Sequence, residues 1–383
     1  MVIGIIGGGA SGMAAALAAS EISGNTVILF ERQARVGKKL LATGNGRCNL
    51  SNLNTAPNHY HGEDPQFAAR ALQGFDVAHT LAWFEGLGLL TVTEESGRVY
   101  PYSDQANSVV DVLRFALDKH GVVQKFGFEV TKLQRTGDGF VVCACDEQVY
   151  CDRIIVACGG LAGTPQGGSM SGYQLLRSMG HRMTKLRPAL VQLKTGDNVA
   201  ALKGVRANCK AQILKDGVVF AESMGEIQFT DYGISGPVVF EISRDACREK
   251  GQWVCRLDFL PDISHDKLHT LICRGGEEML TGILHNRLGK VLAKAGDYDK
   301  TQVIHKVKSF ELTLAEPMGM DKAQVTAGGI VTQDFDPDTM ESKLVPGLYA
   351  CGEVLDIDGD CGGYNLQWAW SSGRCAGLHA GRE

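Results

Sequence analysis

Two glycine-rich turns, one near each end of the chain, carry residue types whose spacing could do chemistry. Near the start, Gly7-x-Gly9-x-x-Gly12 follows the apolar run 2–6 and opens an alanine-rich stretch. At that spacing Gly7 permits a tight turn and Gly9 lets backbone amides reach a pyrophosphate. Gly12 lets a helix pack close to a sheet. Ala10 and Ser11 stand at the mouth of that helix, whose N-terminus favours an anion. Glu31 closes a second apolar run about 20 residues further on, where a carboxylate accepts the ribose hydroxyls of an adenosine.

The second turn chooses between dinucleotides. Leu348-Tyr349-Ala350-Cys351-Gly352-Glu353 reads as a strand delivering an acid at its carboxyl end. After a loop, Gly362-Gly363-Tyr364-Asn365-Leu366-Gln367 opens a helix whose Gly373, Gly377 and Gly381 form a small-residue face. Flavoproteins of the two-dinucleotide kind set such a strand end against the ribityl-pyrophosphate and such a helix start under the flavin pyrimidine. Reduced flavin is anionic at N1–C2=O, which a helix N-terminus stabilises. The same glycines also suit a helix that merely packs on a sheet.

The elements that must position these turns follow from periodicity. Residues 2–6, a helix over 11–22 and residues 26–30 make a β-α-β unit, the opening of a doubly wound sheet. Asp64-Pro65 predicts an N-cap and first turn of a helix ending near Gly74. Val77, Leu81 and Phe84 mark another helix, and Val109, Val110, Leu113, Ala116 and Leu117 a third, stopped at Gly121. Strands are expected over 128–133, 139–144 and 153–157. Past residue 185 the period becomes two. Val205, Ala207, Cys209, Ala211 and Ile213 alternate with polar residues, and Asp216-Gly217 then turns the chain into 218–221, a hairpin. Trp253, Cys255, Leu257 and Phe259 alternate again, as do Phe310, Leu312 and Leu314. Between them Leu280, Ile283, Leu284, Leu288, Val291 and Leu292 have helical spacing.

Composition narrows the function classes. Glycine contributes 48 of 383 residues, well above the usual ~7%, without a collagen period and with only 10 prolines. The net charge is −5, with no basic run, which disfavours nucleic acid or anionic membrane as the main partner. No stretch approaches the ~20 apolar residues of a membrane span, and the glycine-broken N-terminus lacks the basic start of a signal peptide, so a cytoplasmic protein is expected. The 12 cysteines then read as reduced thiols, and none are paired as CxxC or CxxxxC, which argues against a dithiol relay or a zinc ribbon. His59, His61 and His79 have no ligand spacing, so no metal is expected and loop or helix polarity accounts for them.

Longer motifs carry a family resemblance. They are Gly37-Lys38-Lys39-Leu40-Leu41-Ala42-Thr43-Gly44-Asn45-Gly46-Arg47-Cys48-Asn49, Gly97-Arg98-Val99-Tyr100-Pro101, Phe229-Thr230-Asp231-Tyr232-Gly233-Ile234-Ser235-Gly236-Pro237, Val325-Thr326-Ala327-Gly328-Gly329 and Gly363-Tyr364-Asn365-Leu366-Gln367-Trp368-Ala369. In these, and nearly end to end, the chain resembles the BaiN/YhiN-type NAD(P)/FAD-dependent oxidoreductases of bacteria. The resemblance implies an α/β fold: a Rossmann-like FAD-binding domain split in sequence, interrupted by an antiparallel β-barrel-like domain with a small helical insertion. The expected boundaries are 1–185 and 326–383 for the FAD-binding domain, 186–262 with 303–325 for the barrel, and 263–302 for the helices.

The resemblance also implies that the loop 43–49 lies along the flavin, making Gly44, Arg47, Cys48 and Asn49 candidate FAD contacts. With Gly7, Gly9, Ala10, Ser11, Gly12 and Glu31, the expected cofactor set includes Arg32, Lys39, Val130, Gly159, Gly352, Glu353, Gly363, Tyr364, Asn365 and Leu366. Arg47 could neutralise pyrophosphate or reduced flavin, or be a solvated surface arginine. Cys48 and Cys361 suit small buried hydrophobes better than redox thiols. Tyr232 would face the flavin in the family pattern, as a proton donor or as a barrel aromatic, and Arg47 and Tyr232 are the catalytic candidates.

With a single dinucleotide fingerprint, no separate NAD(P)H domain is expected, and a nicotinamide would visit the flavin transiently. The implied chemistry is hydride transfer through flavin N5, with substrate between the FAD domain and the inserted module. The favoured substrate is a conjugated carbonyl compound of dehydro-bile-acid type. An amine oxidase using oxygen is the alternative enzyme, and an FAD-bearing RNA-modification or scaffold protein the alternative of another class.

Overall fold

The computed structural model describes residues 1–145, 147–246, 251–275 and 277–382, the side chain of Glu277 excepted. The chain divides into two compact units, one of Met1–Arg187 with the chain from Val325 onward, the other of Pro188–Gln324.

The first unit is built on a five-stranded parallel sheet in the order Leu348–Ala350, Arg153–Val156, Val2–Ile6, Thr26–Glu31, Val123–Phe126. Strands buried on both faces explain the unbroken apolar runs that the sequence shows. The first helix, Ala10–Ser20, is buried on nearly every side, which its alanines permit. It packs on the last helix, Tyr364–Gly381, through the small residues expected. A Cβ on Gly373 would collide with the carbonyl oxygen of Ser11, and one on Gly377 with that of Ala15. These glycines hold the two helix axes close. Beside the sheet, Lys132–Thr136, Gly139–Ala144 and Glu147–Cys151 form a three-stranded antiparallel meander.

The second unit holds a closed six-stranded barrel ordered Leu193–Thr195, Gly233–Ser235, Val218–Phe229, Arg206–Lys215, Trp253–Asp258, Phe310–Pro317. Cys209, Ala211, Ile213, Cys255 and Leu257 point into its core, as their period of two requires. The helices His265–Gly275, Asn286–Ala295 and Lys300–Lys308 contribute Leu268, Leu288, Leu292 and Val307 to the same core.

Local differences from the sequence expectations have identifiable causes. The strand expected over 128–133 is interrupted. Gly127 turns at φ 65°, and the amides of Gly127 and Phe128 bond back to Gln33 and Glu31, so pairing stops at Phe126 and resumes at Lys132. The helix expected at Asp64-Pro65 begins at Phe67, because Pro65 closes a separate turn with Ala68. The hairpin after Asp216-Gly217 runs far past Ala221, to Phe229, with a bulge between Ile213 and Leu214. The helical spacing over 280–292 covers a 3-10 turn and a separate helix, which starts where the His285 side chain accepts the Arg287 amide.

Candidate functional site

The carboxyl ends of the parallel strands converge on a run of glycines, the place where open α/β sheets hold ligands. Gly7, directly after the first strand, has φ 111°, and a Cβ there would lie 2.5 Å from Ala157 O. A Cβ on Gly12 would overlap Gly7 O, whereas one on Gly9 would meet nothing within 4 Å. Gly7 and Gly12 therefore serve the packing and Gly9 leaves room for a ligand. Ala10 opens the helix and Ser11 is buried in its first turn.

Glu31, at the end of the second strand, is already engaged by backbone. Its Oε2 accepts the Gly8 amide and its Oε1 the Gln33 amide, both at 2.7 Å. Each carboxylate oxygen has a second acceptor site, so ribose hydroxyls can still be received. The sequence pattern foresaw the carboxylate but not that it also ties down the glycine turn. Arg32 donates to Gly167 O at 2.7 Å and lies 3.6 Å from Glu129. Gly159 follows the Arg153–Val156 strand in a left-handed turn with open space where a side chain would be, and Val130 is buried.

At the end of the Leu348–Ala350 strand, Gly352 has φ 76° and a Cβ would lie 2.5 Å from Ser11 Oγ, so this turn abuts the mouth of the first helix. Glu353 Oε2 pairs with Lys39 Nζ at 2.8 Å and its Oε1 accepts the Thr326 amide at 2.7 Å. Thr326 Oγ1 in turn accepts the Ala162 amide at 2.8 Å. Lys39 and Glu353, expected separately as cofactor residues, are one ion pair, and Thr326 joins them without having been foreseen.

The loop 43–49 is irregular because successive residues leave the right-handed region. Gly44, Asn45, Gly46 and Cys48 all have positive φ, values that glycine takes freely and asparagine tolerates but cysteine rarely adopts. Cys48 is fully buried, which pushes its thiol up to about 12 and makes it inert at neutral pH. Arg47 is engaged within the loop's surroundings. It donates to Glu94 at 3.0 Å and to Asp104, and its guanidinium lies 3.9 Å from the Tyr100 ring centre. These bonds raise the Arg47 pKa, Asp104 contributing most and Glu94 next. The sequence showed no sign of either acid partner. Asn49 stands between this loop and the last helix: its Oδ1 is buried and has no hydrogen-bond partner.

The last helix starts at Tyr364 behind Gly363, whose φ is 102° and which offers no side-chain cap. A Cβ on Gly363 would collide with Ser51 O and approach Asn49 Oδ1 to 2.9 Å. The turn before it is pinned through Asp360, which the sequence did not single out. Asp360 accepts from or bonds to His59 Nδ1 at 2.9 Å and His61 Nε2 at 2.6 Å, and the His59 ring stacks on Tyr364 at 4.3 Å. Burial pushes the Asp360 carboxyl up, but its bonds to His61 and His59 outweigh this and hold it below its usual value. His59 and His61, expected to be ordinary loop polarity, thus brace the helix start. The Asn365 side chain closes the same turn, accepting the Gly359 amide at 2.8 Å and donating to Gly359 O at 2.7 Å, so only its backbone remains for a ligand. Leu366 is partly buried against the core.

Tyr232 belongs to the second unit, in the turn where Thr230 N donates to Gly233 O, and its ring is exposed. Among the described residues no three His, Cys, Asp or Glu side chains are arranged to hold a metal, and no helix is long and apolar enough to cross a membrane.

The residues present fit an FAD. Gly9 leaves space beside a helix start, Glu31 keeps acceptor capacity, and a second helix start is uncapped and has an unpartnered acceptor next to it. A family model described as the HI0933-like protein Rossmann domain matches residues 1–379. The chain belongs to this family. It is the FAD-dependent oxidoreductase family whose motifs the sequence resembles. One relative, the 3-dehydro-bile acid delta(4,6)-reductase of Clostridium scindens, is 43% identical over 99% of this chain and 98% of its own length. Another, the ribosomal RNA dihydrouridine synthase of Escherichia coli, is 30% identical over 96% and 95%. Among solved structures, 3-ketosteroid delta1-dehydrogenase from Sterolibacterium denitrificans aligns with TM-score 0.55 at 12% identity, covering 99% of both chains. A flavocytochrome c3 fumarate reductase aligns with TM-score 0.52 at 17% identity, covering 99% of this chain and 78% of the other. At such identities these two show the fold alone.

Proposed function

We propose that this oxidoreductase binds FAD in the first unit and reduces a carbon–carbon double bond conjugated to a carbonyl, with NADH or NADPH as the hydride source. The observation that carries the reading is the full-length 43% identity to a reductase of 3-dehydro bile acids. Bound FAD supplies hydride transfer through its N5. The chain's own groups do the rest. The Ala10 and Ser11 amides at the start of the first helix would bind the pyrophosphate, Glu31 the ribose, and the Lys39–Glu353 pair with Gly352 would flank the ribityl chain. The amides at the start of the Tyr364–Gly381 helix stabilise negative charge on the pyrimidine. Reducing an enone adds hydride to the β-carbon and a proton to the α-carbon, and the Tyr232 phenol is the proposed proton donor.

A second reading follows from the dihydrouridine synthase relative. Uracil's C5=C6 bond is conjugated to its C4 carbonyl, so the same transfer would serve a base in RNA. Charge on the barrel strands counts against it. Five cations on or beside the barrel strands are matched by acids: Lys194 with Glu316, Lys203 with Asp231, Arg206 with Glu226, Lys210 with Glu222 and Arg256 with Glu311. Phosphate binding draws on unpaired positive charge. Both relatives' names concern reduction, which also favours reductase over amine oxidase. The test offers a 3-oxo-Δ4 bile acid and undermodified ribosomal RNA separately to enzyme and NAD(P)H under anaerobic conditions. A saturated steroid with unchanged RNA supports the proposal, whereas dihydrouridine alone replaces it with the second reading.

A further inference from the structure

The fold brings the Gly97–Pro101 motif to the turn before the last helix. Arg98 opens the strand Arg98–Pro101 and pairs with Asn52 across the sheet. Gly97, at φ 81°, makes room for Asn52, since a Cβ there would lie 2.7 Å from its Oδ1. Asn52 Nδ2 then donates to Gly362 O at 2.8 Å. Gly362 in turn makes room for Arg98, because a Cβ on it would stand 3.3 Å from Arg98 Nε. Two glycines distant in sequence thus let a half-buried arginine lie against this turn.

Arg98 differs from the cations of the neighbouring loop in its charge balance. Lys39 is paired with Glu353, and Arg47 with Glu94 and Asp104. Among the described residues the Arg98 side chain has no hydrogen bond and no acid at ion-pair distance, and its nitrogens keep accessible surface. Burial raises the pKa of the Tyr100 phenol and Glu94 adds to the rise, whereas Arg98 and Arg47 act against it, so the Arg98 charge is felt at that hydroxyl. A half-buried cation with open donors and no counter-charge suits a negative charge that comes and goes.

Enone reduction generates such a charge. Hydride added at the β-carbon pushes an electron pair through the α-carbon onto the carbonyl oxygen. The oxygen stays anionic until a proton reaches the α-carbon and the pair returns. It lies three bonds from the carbon that takes the hydride, so it stays close to the flavin ring. We infer that Arg98 donates to the carbonyl oxygen of the substrate and holds the enolate charge. This rests on the reductase reading above and adds to it the group that polarises the carbonyl, a task separate from the Tyr232 proton.

The probe is equilenin, a steroid whose naphthol ring, once ionised, mimics the enolate and whose fluorescence distinguishes the two forms. The wild-type holoenzyme should hold the naphtholate about tenfold or more tightly than the naphthol, lowering the pKa of the bound steroid by about a unit or more. Arg98→Met should lose most of that preference and slow enone reduction about 10²-fold, with flavin content and midpoint potential unchanged. Arg98→Lys, which keeps the charge, should retain part of both. Circular dichroism checks that each variant folds, and the wild-type titration stands without them. No preference for naphtholate in wild type, or full preference in Arg98→Met, overturns the assignment while leaving the reductase standing. So does a wild type that reduces the enone but does not bind equilenin. A fall in midpoint potential in Arg98→Met with the preference intact also overturns it, and gives Arg98 to the flavin. Wild type that neither binds equilenin nor reduces the enone overturns both.

Discussion

The Glu31 carboxylate accepts the Gly8 amide at 2.7 Å, so the acid at the end of the second strand and the glycine turn after the first are one unit. Its other oxygen holds the Gln33 amide. Removing the side chain therefore does two things at once. Glu31→Ala should purify largely without FAD and also lose about 1–3 kcal/mol of stability, since two amides lose a charged acceptor. Glu31→Gln, which keeps one acceptor oxygen, should fall between. Flavin content and chemical denaturation read both effects. Wild-type flavin occupancy in Glu31→Ala would remove Glu31 from the cofactor set.

Gly363 occupies a backbone conformation that side chains rarely adopt and has Ser51 O where a Cβ would go. Gly363→Val should abolish FAD binding, or displace the helix start from the pyrimidine. In the second case a lost bond to charge of ~1.5–3 kcal/mol corresponds to a fall of roughly 30–65 mV in midpoint potential. Spectroelectrochemistry at one pH measures it, after FAD occupancy is checked. An unchanged potential at full occupancy would make the helix a packing element only.

Asp360 is held below its usual pKa by His59 and His61 in spite of burial. A carboxyl whose folded pKa is depressed contributes stability above its unfolded pKa and loses it as pH falls through the folded value. Asp360→Asn should therefore be less stable than wild type at pH 7, and the gap should close as the pH drops below about 4. Urea unfolding across that range checks the sign. A gap that does not change with pH would mean that the His–Asp bonds add nothing specific.

Tyr232→Phe removes one hydroxyl and little volume. With Tyr232 as proton donor, turnover should fall about 10²-fold or more with flavin content and nicotinamide-driven flavin reduction unchanged. Equal turnover would leave Tyr232 as an exposed barrel aromatic.

What the sequence made legible was local. The Gly7–Gly9–Gly12 spacing and the acid at Glu31 lie within one β-α-β unit, and Gly373 and Gly377 recur at the period of one helix, so spacing announces them even though the carbonyls they clear, Ser11 O and Ala15 O, are distant in sequence. Alternation over 205–213 and 253–259 likewise announced the barrel strands, because a period of two follows from the pleat itself. The partners that finish the site are distant in sequence. Lys39 and Glu353 are 314 positions apart and His59 and Asp360 301, and nothing in either local pattern names the other. Arg47 shows the same limit: the resemblance placed it near the flavin, but Glu94 and Asp104 come to it only through folding.

The central claim is a flavin that takes hydride from a nicotinamide and passes it to a conjugated double bond. Its most direct measurement is anaerobic double mixing of the holoenzyme, first with NADH or NADPH and then with a 3-oxo-Δ4 bile acid, following flavin absorbance. The account predicts that one nicotinamide bleaches the flavin band, that the enone restores it, and that the product carries two added hydrogens. A flavin untouched by both nicotinamides but bleached by an amine, and restored by oxygen and not by the enone, would contradict it.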